Sequence, residues 1–489
     1  MTGQVSGVRQ VSGVRSVLTH AGRTTTTERP APGPTLRQVI ADRREIAAMT
    51  RDRVNSPLVA SRFYATTTPG KLMIILLAII LCCGITGWYS SSALTTRSQT
   101  LESLIERSEP QAEAAETLYS SLSVADASAN SAFISGGRES PKLRTDFSNS
   151  IATASTALIA ATDGYRDDAA SHTADEDAAR ADLNTLAVKI PVYTGLVETA
   201  RTNNRLGYPV GSAYLTVASS LMQETILPAA QRLYEQRSSA ISEPQRTLTV
   251  PPWGVYIALF LIIGMLLATG RYLARRTRRH FNAGLIAATG ALALGTVWLL
   301  VAGLTSVAAA NTAKISGADP LHTLTSMRIL TQQARSAETL SLVRRSDPGE
   351  LDRMFNSSMD QIKQRSDRLS DDPELADDHG ITDPLSDVRA ALVRWRSAHG
   401  EVGRLLTNGD FPRARDLTIG AGKTSTATGY TEANSALVES ISEARSTFRS
   451  SINTAQRVLE YTGTGIAILC VVAAGAVLAG LFPRIREYR

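Results

Sequence analysis

The chain has 489 residues, 43% hydrophobic and only 5% aromatic, with a formal charge of +6. Its apolar residues are gathered in four windows without charged side chains: between Lys71 and Arg97, between Arg246 and Arg271, from Phe281 to the residue before Lys314, and from Tyr461 to Pro483. Each holds a core of about 20 apolar residues, enough for a helix to cross a bilayer, so a soluble protein is excluded. Three cysteines, Cys82, Cys83 and Cys470, all inside these windows, exclude a disulfide-built one.

Residues 1–34 are low in complexity, with Val5-Ser-Gly-Val-Arg9 repeated as Val11-Ser-Gly-Val-Arg15 and a threonine run at Thr24, Thr25, Thr26 and Thr27. Too few apolar residues are present to offset chain entropy, so this stretch reads as a disordered tail. The threonine run is a candidate phosphorylation site, because phosphate would add negative charge beside Arg37, Arg43 and Arg44. Thr35 with Gln38 forms a capping-box pattern, opening a juxtamembrane helix within residues 35–70. That helix fits either an anionic lipid surface or a docking site for a cytosolic partner. Seventy residues precede the first apolar window, so it reads as an uncleaved signal anchor.

The first span is expected over 72–94 and an extracytoplasmic segment over 95–249. In that segment apolar residues recur at spacings of three and four, as in Leu101, Leu104, Ile105 and Leu143, Phe147, Ile151. Four antiparallel helices are expected, with Gly136-Gly137 ending the first, Ser140-Pro141 opening the second, the third over about 174–203, and the fourth running from about Val210 into the second span with a kink at Pro228. The second span is placed at 250–270, a basic loop at 271–282, the third span at 283–307, a second outer segment at 308–460, the fourth span at 462–482, and a basic tail at 483–489.

The second outer segment repeats the plan of the first. Pro141, Leu143, Phe147 and Ile151 match Pro348, Leu351, Phe355 and Met359, and Tyr193 followed by Gly207-Tyr208-Pro209 matches Trp395 followed by Asp410-Phe411-Pro412. The expected fold class is therefore an all-α integral membrane protein with four transmembrane helices and two extracytoplasmic four-helix bundles arranged as a tandem duplication. Charge sets the orientation. Residues 1–71 hold 11 basic against 4 acidic side chains, the loop 271–281 holds 5 against none, and residues 97–246 hold 13 against 19. Positive flanks stay cytoplasmic, which places both termini and the short loop inside a plasma membrane. The basic character is thereby assigned to topology and membrane lipid, not to nucleic acid.

No catalytic constellation stands out. The six histidines show no metal-ligand spacing, and the spans carry no Asp, Glu, Lys or Arg, which argues against coupled transport. No enzyme activity, cofactor or metal is expected. Arg328, Arg335, Glu338, Arg344 and Arg345 cluster on the first helix of the second segment, where guanidinium groups could clamp a carboxylate. The same run also fits a solvated helix face with internal ion pairs.

A helix leaving one span, a four-helix bundle and a helix entering the next resemble the sensory ectodomain of bacterial chemoreceptors. The whole plan of residues 36–489, with four spans, two helical outer segments, a threonine-rich N-terminus and a short basic tail, resembles the actinobacterial GlnX-type membrane proteins. That resemblance implies a sensor that takes an amino-acid signal from an extracytoplasmic amino-acid-binding lipoprotein and passes it to a cytosolic serine/threonine protein kinase. It leaves homo-oligomer formation open. The competing reading is a structural or transporter-accessory membrane protein without a signalling role.

Overall fold

The computed structural model describes residues 68–135, 140–162, 174–277, 282–344, 348–375 and 378–487. Among the described residues every regular element is helical. The expected tail, the helix from Thr35 and the threonine run lie outside the described residues, as do Gly136 and Gly137.

Helix α1 (Thr68–Ser103) passes through a π turn (Leu104–Ser108) directly into α2 (Glu109–Ile134). Helices α3 (Pro141–Thr162) and α4 (Ala174–Arg205) follow, then α5 (Val210–Leu221), a second π turn (Met222–Ile226) and α6 (Leu227–Leu248). Helix α7 (Trp253–Thr277) returns through the apolar zone and α8 (Ala283–Thr312) leaves it again, running through a third π turn (Ala313–Ala318) into α9 (Asp319–Arg344). Helices α10 (Pro348–Ser370), α11 (His379–Thr407), α12 (Phe411–Ile419), α13 (Thr426–Leu459) and α14 (Thr462–Glu487) complete the chain.

Four of these helical stretches are long and apolar enough to cross a membrane, with mean hydropathy of 2.1 to 2.6 in their best windows. Their outward faces are what lipid requires: Leu77, Leu81, Phe260, Leu294 and Val471 are all more than half exposed. Trp88, Trp253 and Tyr461 are exposed near the ends that lead to the inter-span segments, the position where an amphipathic ring suits the water–lipid boundary. Small residues let the spans meet. A Cβ at Gly284 would lie 2.3 Å from the Ala476 carbonyl oxygen and 2.6 Å from the Gly480 Cα, so α8 and α14 cross backbone to backbone. Gly87 admits Cys470 in the same way between α1 and α14.

Two local expectations are corrected. The helix from Val210 does not run unbroken into the second span: α6 stops at Leu248 and α7 begins after Pro251-Pro252. Two adjacent prolines remove two donors and push the preceding residue out of the helical region. Arg97 of α1 donates across this break to the Leu248 carbonyl, serving an acceptor left without an intrahelical partner. At Pro228 the structure has a π turn in place of a simple kink. The carbonyl of residue 224, which the proline ring would strike in a regular helix, lies within that wider turn.

Between the spans, α2 packs on α3 and α6, and α4 packs on α5 and α6. Their core holds Leu118, Tyr119, Leu122, Phe147, Leu186, Tyr193, Met222 and Leu233, interleaved with alanines that let the helices approach closely. In the second segment α9 packs on α10 and α13, and α11 on α13, around Leu324, Met327, Phe355, Ile362, Leu385, Trp395 and Leu437. Helices α2 and α9, the two that continue outward from spans, also pack against each other.

Candidate functional site at the contact of the two inter-span segments

The α2–α9 contact is polar where a membrane-distal core would ordinarily be apolar. Asp126 of α2 is fully buried. Its Oδ1 accepts from the Tyr193 hydroxyl at 3.3 Å and the Ser219 hydroxyl at 3.1 Å. Its Oδ2 accepts from Asn130 Nδ2 at 3.3 Å, Gln223 Nε2 at 3.1 Å and Ser336 Oγ at 3.0 Å. Ser336 belongs to α9, and Gln223 also donates to it at 2.6 Å. One carboxyl group thus ties α2, α4 and α5 of one segment to α9 of the other. All five donors are neutral, so no opposite charge compensates the carboxylate. Burial pushes its pKa above the usual 3.8, against the pull of the bonds from Gln223, Ser336, Ser219 and Tyr193.

Glu338, two residues after Ser336 and so on the opposite face of α9, has the contrary environment. It too is buried, and it accepts from Arg335 Nη1 at 2.6 Å and from the Trp395 indole N–H at 3.2 Å, with His399 Nδ1 at 3.1 Å. Burial acts to raise its pKa, but the His399 bond and the Arg335 charge outweigh it and hold the carboxyl below 4.5. His399 Nε2 lies 3.1 Å from Asp352 of α10. Burial works against the imidazolium, yet the two carboxylates together raise the His399 pKa above 6.5. Arg335 is fully engaged, donating also to Thr426 Oγ1 at 3.1 Å and to the Thr418 carbonyl at 3.2 Å.

Nearer the spans, an ion ladder joins the segments. Glu109, Glu113 and Glu116 stand at i, i+4 and i+7 on α2 and therefore on one face. Arg445 of α13 reaches all three, at 3.0, 3.0 and 2.8 Å, and Arg449 reaches Glu109 at 2.6 Å and Glu113 at 2.9 Å. Arg328 of α9 pairs with Glu116 at 2.7 Å and donates to Asn434 at 3.3 Å. Between ladder and Asp126, Gln332 donates to Ser120 at 2.8 Å and Gln333 to the Tyr119 hydroxyl at 3.2 Å.

Of the residues singled out in the sequence, the structure brings Arg335 and Glu338 together inside the second segment and turns Arg328 toward the first. Arg344 ends α9 with its side chain outside the described residues, and Arg345 lies outside them altogether. The arrangement offers hydrogen-bond and ionic coupling between helices. Among the described residues no group of three or more His, Cys, Asp or Glu side chains could hold a metal ion. Sequence reasoning missed the ladder, although the Glu109/Glu113/Glu116 and Arg445/Arg449 spacings were visible; nothing in the sequence pairs helices more than 300 residues apart. No curated protein and no solved structure matches the chain. Residues 100–246, which run from the end of α1 to near the end of α6, match the model of a family described as the actinobacterial sensor domain, and that match points to a sensing role for a protein with four membrane-length apolar helices.

Proposed function

We propose that this chain is a non-enzymatic transmembrane signal transducer of the plasma membrane, with both termini cytoplasmic and two extracytoplasmic four-helix bundles arranged as a tandem duplication. The observation that carries the reading is continuity. Two helical rods, residues 70–134 and 283–343, each run without a break from a membrane-length apolar stretch through the inter-span body, and the two are bonded to each other there through Asp126, Ser336, Glu116 and Arg328. A shift or rotation of one rod against the other has a direct path to the membrane. The duplication is supported by two equivalent acid–ring pairs: Asp126 with Tyr193 and Glu338 with Trp395, each ring also meeting a phenylalanine, Phe147 at 6.3 Å and Phe355 at 5.5 Å.

On the resemblance to GlnX-type proteins, the signal is an amino acid delivered by an extracytoplasmic binding lipoprotein, and the output is a cytosolic serine/threonine kinase. A clamp role for Arg328, Arg335, Glu338, Arg344 and Arg345 and phosphorylation at Thr24–Thr27 belong to the same proposal. Capture experiments with the full-length protein in neutral detergent test it. Recovery of a solute-binding lipoprotein from the outer face and a kinase from the cytosol supports transduction, whereas recovery of a permease alone favours the accessory reading.

A further inference from the structure

Between the two segments, just outward of the first and third π turns, lies a cavity of about 440 Å³. It is walled by α2, α6, α9 and α13, so both segments contribute to it. Its volume falls within the ~300–1,000 Å³ range of small-molecule sites and is roughly fifteen times that of one water. Five carboxylates line it, Glu109, Glu113, Glu116, Glu235 and Asp319, against one guanidinium, Arg445. The three inner carboxylates are bridged by the arginine ladder. At the rim, among the described residues, no ion pair within 4.0 Å is formed by Glu235 of α6, which accepts from Gln231 Nε2 at 2.9 Å, or by Asp319 of α9; the two stand on opposite segments. The wall between them carries Tyr234 and His322, stacked with centroids 6.4 Å apart and planes 18° apart, and Phe448 closes the cavity beneath. Deeper in, Glu109 is 1% exposed, with its Oε1 3.0 Å from Arg445 Nε and its Oε2 2.6 Å from Arg449 Nη2. Burial raises its pKa above 4.5, against the Arg449 bond and the charges of Arg445 and Arg449.

We propose that this cavity binds a small organic cation, an aliphatic amine or polyamine, held by Glu235 and Asp319 with its methylene chain against the Tyr234–His322 rings. Excess carboxylate supplies the charge preference, and aromatic faces attract a cation while covering its apolar chain. A bare metal ion is disfavoured, because the lining carboxylates are not grouped as metal ligands among the described residues and the cavity is far larger than an ion. Binding here is separate from the transduction reading and would be detected whether or not a signal follows.

The test is calorimetric titration of the full-length protein in neutral detergent with spermidine, with glutamate as an anionic probe and calcium as a metal probe. The expected result is saturable spermidine binding, weakened about tenfold or more in the double variant Glu235→Gln/Asp319→Asn. Both positions are exposed, and an unchanged melting curve confirms that the variant is folded. The proposal is overturned by no saturable binding of spermidine to the wild type, by equal binding in the double variant, or by tighter binding of glutamate or calcium than of spermidine.

Discussion

Replacing Asp126 separates two roles that a buried carboxylate can have, as a charge and as a hydrogen-bond acceptor. In Asp126→Ala, five donors lose their acceptor. Ser219 keeps Asn130 Oδ1 at 3.1 Å and Gln223 keeps Ser336 at 2.6 Å, which leaves Asn130 Nδ2, the Tyr193 hydroxyl and Ser336 Oγ to be satisfied elsewhere. At about 1 kcal/mol or more for each buried donor left unsatisfied, the loss is about 3 kcal/mol before any cavity is counted. In Asp126→Asn, the carboxamide oxygen can keep the three donors on the Oδ2 side, while its NH2 donates to the Tyr193 and Ser219 hydroxyls, which are free to turn. No buried charge remains, so this change costs within about 1 kcal/mol. At roughly 2–4 °C per kcal/mol for a body of this size, the gap of about 2–3 kcal/mol should make the alanine variant melt about 4–12 °C below the asparagine variant by circular dichroism at pH 7. Equal melting of the two would refute the network. The pH dependence follows from the raised pKa. A carboxyl raised above 3.8 in the fold imposes its penalty at pH values above that raised pKa, and the penalty disappears as the pH falls toward 3.8. Lowering the pH should therefore move the wild type upward relative to Asp126→Asn; movement the other way would contradict the assigned environment.

His399 should shift with pH in the same direction, but as an interaction gained at low pH where Asp126 has a penalty relieved. The raised pKa of His399 gives stability that is fully present below 6.5 and lost as the pH rises through the folded value, so His399→Gln should lose more stability at pH 6 than at pH 8.5 in paired melts. Gly284→Leu should separate α8 from α14, because even a Cβ meets the Ala476 carbonyl and the Gly480 backbone; a cysteine pair placed across this crossing should then cross-link several-fold less efficiently, and unchanged cross-linking would sink the close-approach account. For topology, single cysteines at Thr173 and Asp378 should react with an impermeant thiol reagent on intact cells and one at Thr277 should not; the reverse pattern would invert the proposed orientation.

The helical class and the four apolar helices were legible because their signals are local: spacing of three and four, and runs of about 20 residues without charge. Tyr193 and Trp395, matched in sequence, are both fully buried, and the acid beside each was present in the segment though not marked as its partner. The contact between the segments was not legible. Its donors include Ser219, Gln223 and Ser336, ordinary helix-surface residues when read one helix at a time, and only packing makes them interior. The interruption at Pro251-Pro252 was written in the sequence, but the apolar window around it masked the signal. The π turns carry no local signature, because they answer packing constraints imposed by other helices.

The π turn at Leu104–Ser108 makes chain length a structural variable at that point. Below it the buried stripe of α1 passes Leu94, Leu101 and Leu104; the next buried residue in line is Glu109, a step of five. Closing that turn to regular helix at constant chain length would turn everything beyond by about 100° relative to the span. Glu109, Glu113 and Glu116 would swing away from Arg445 and Arg449, and Asp126 from Ser336, without any of these side chains having been altered. Removing one residue as the turn closes would restore the phase, because a step of four in regular helix returns to the face that a step of five reaches here. The five residues thus act as an index mark on the rod: variants that splice a foreign span onto this body keep its phase either with this wide turn or with a regular helix one residue shorter.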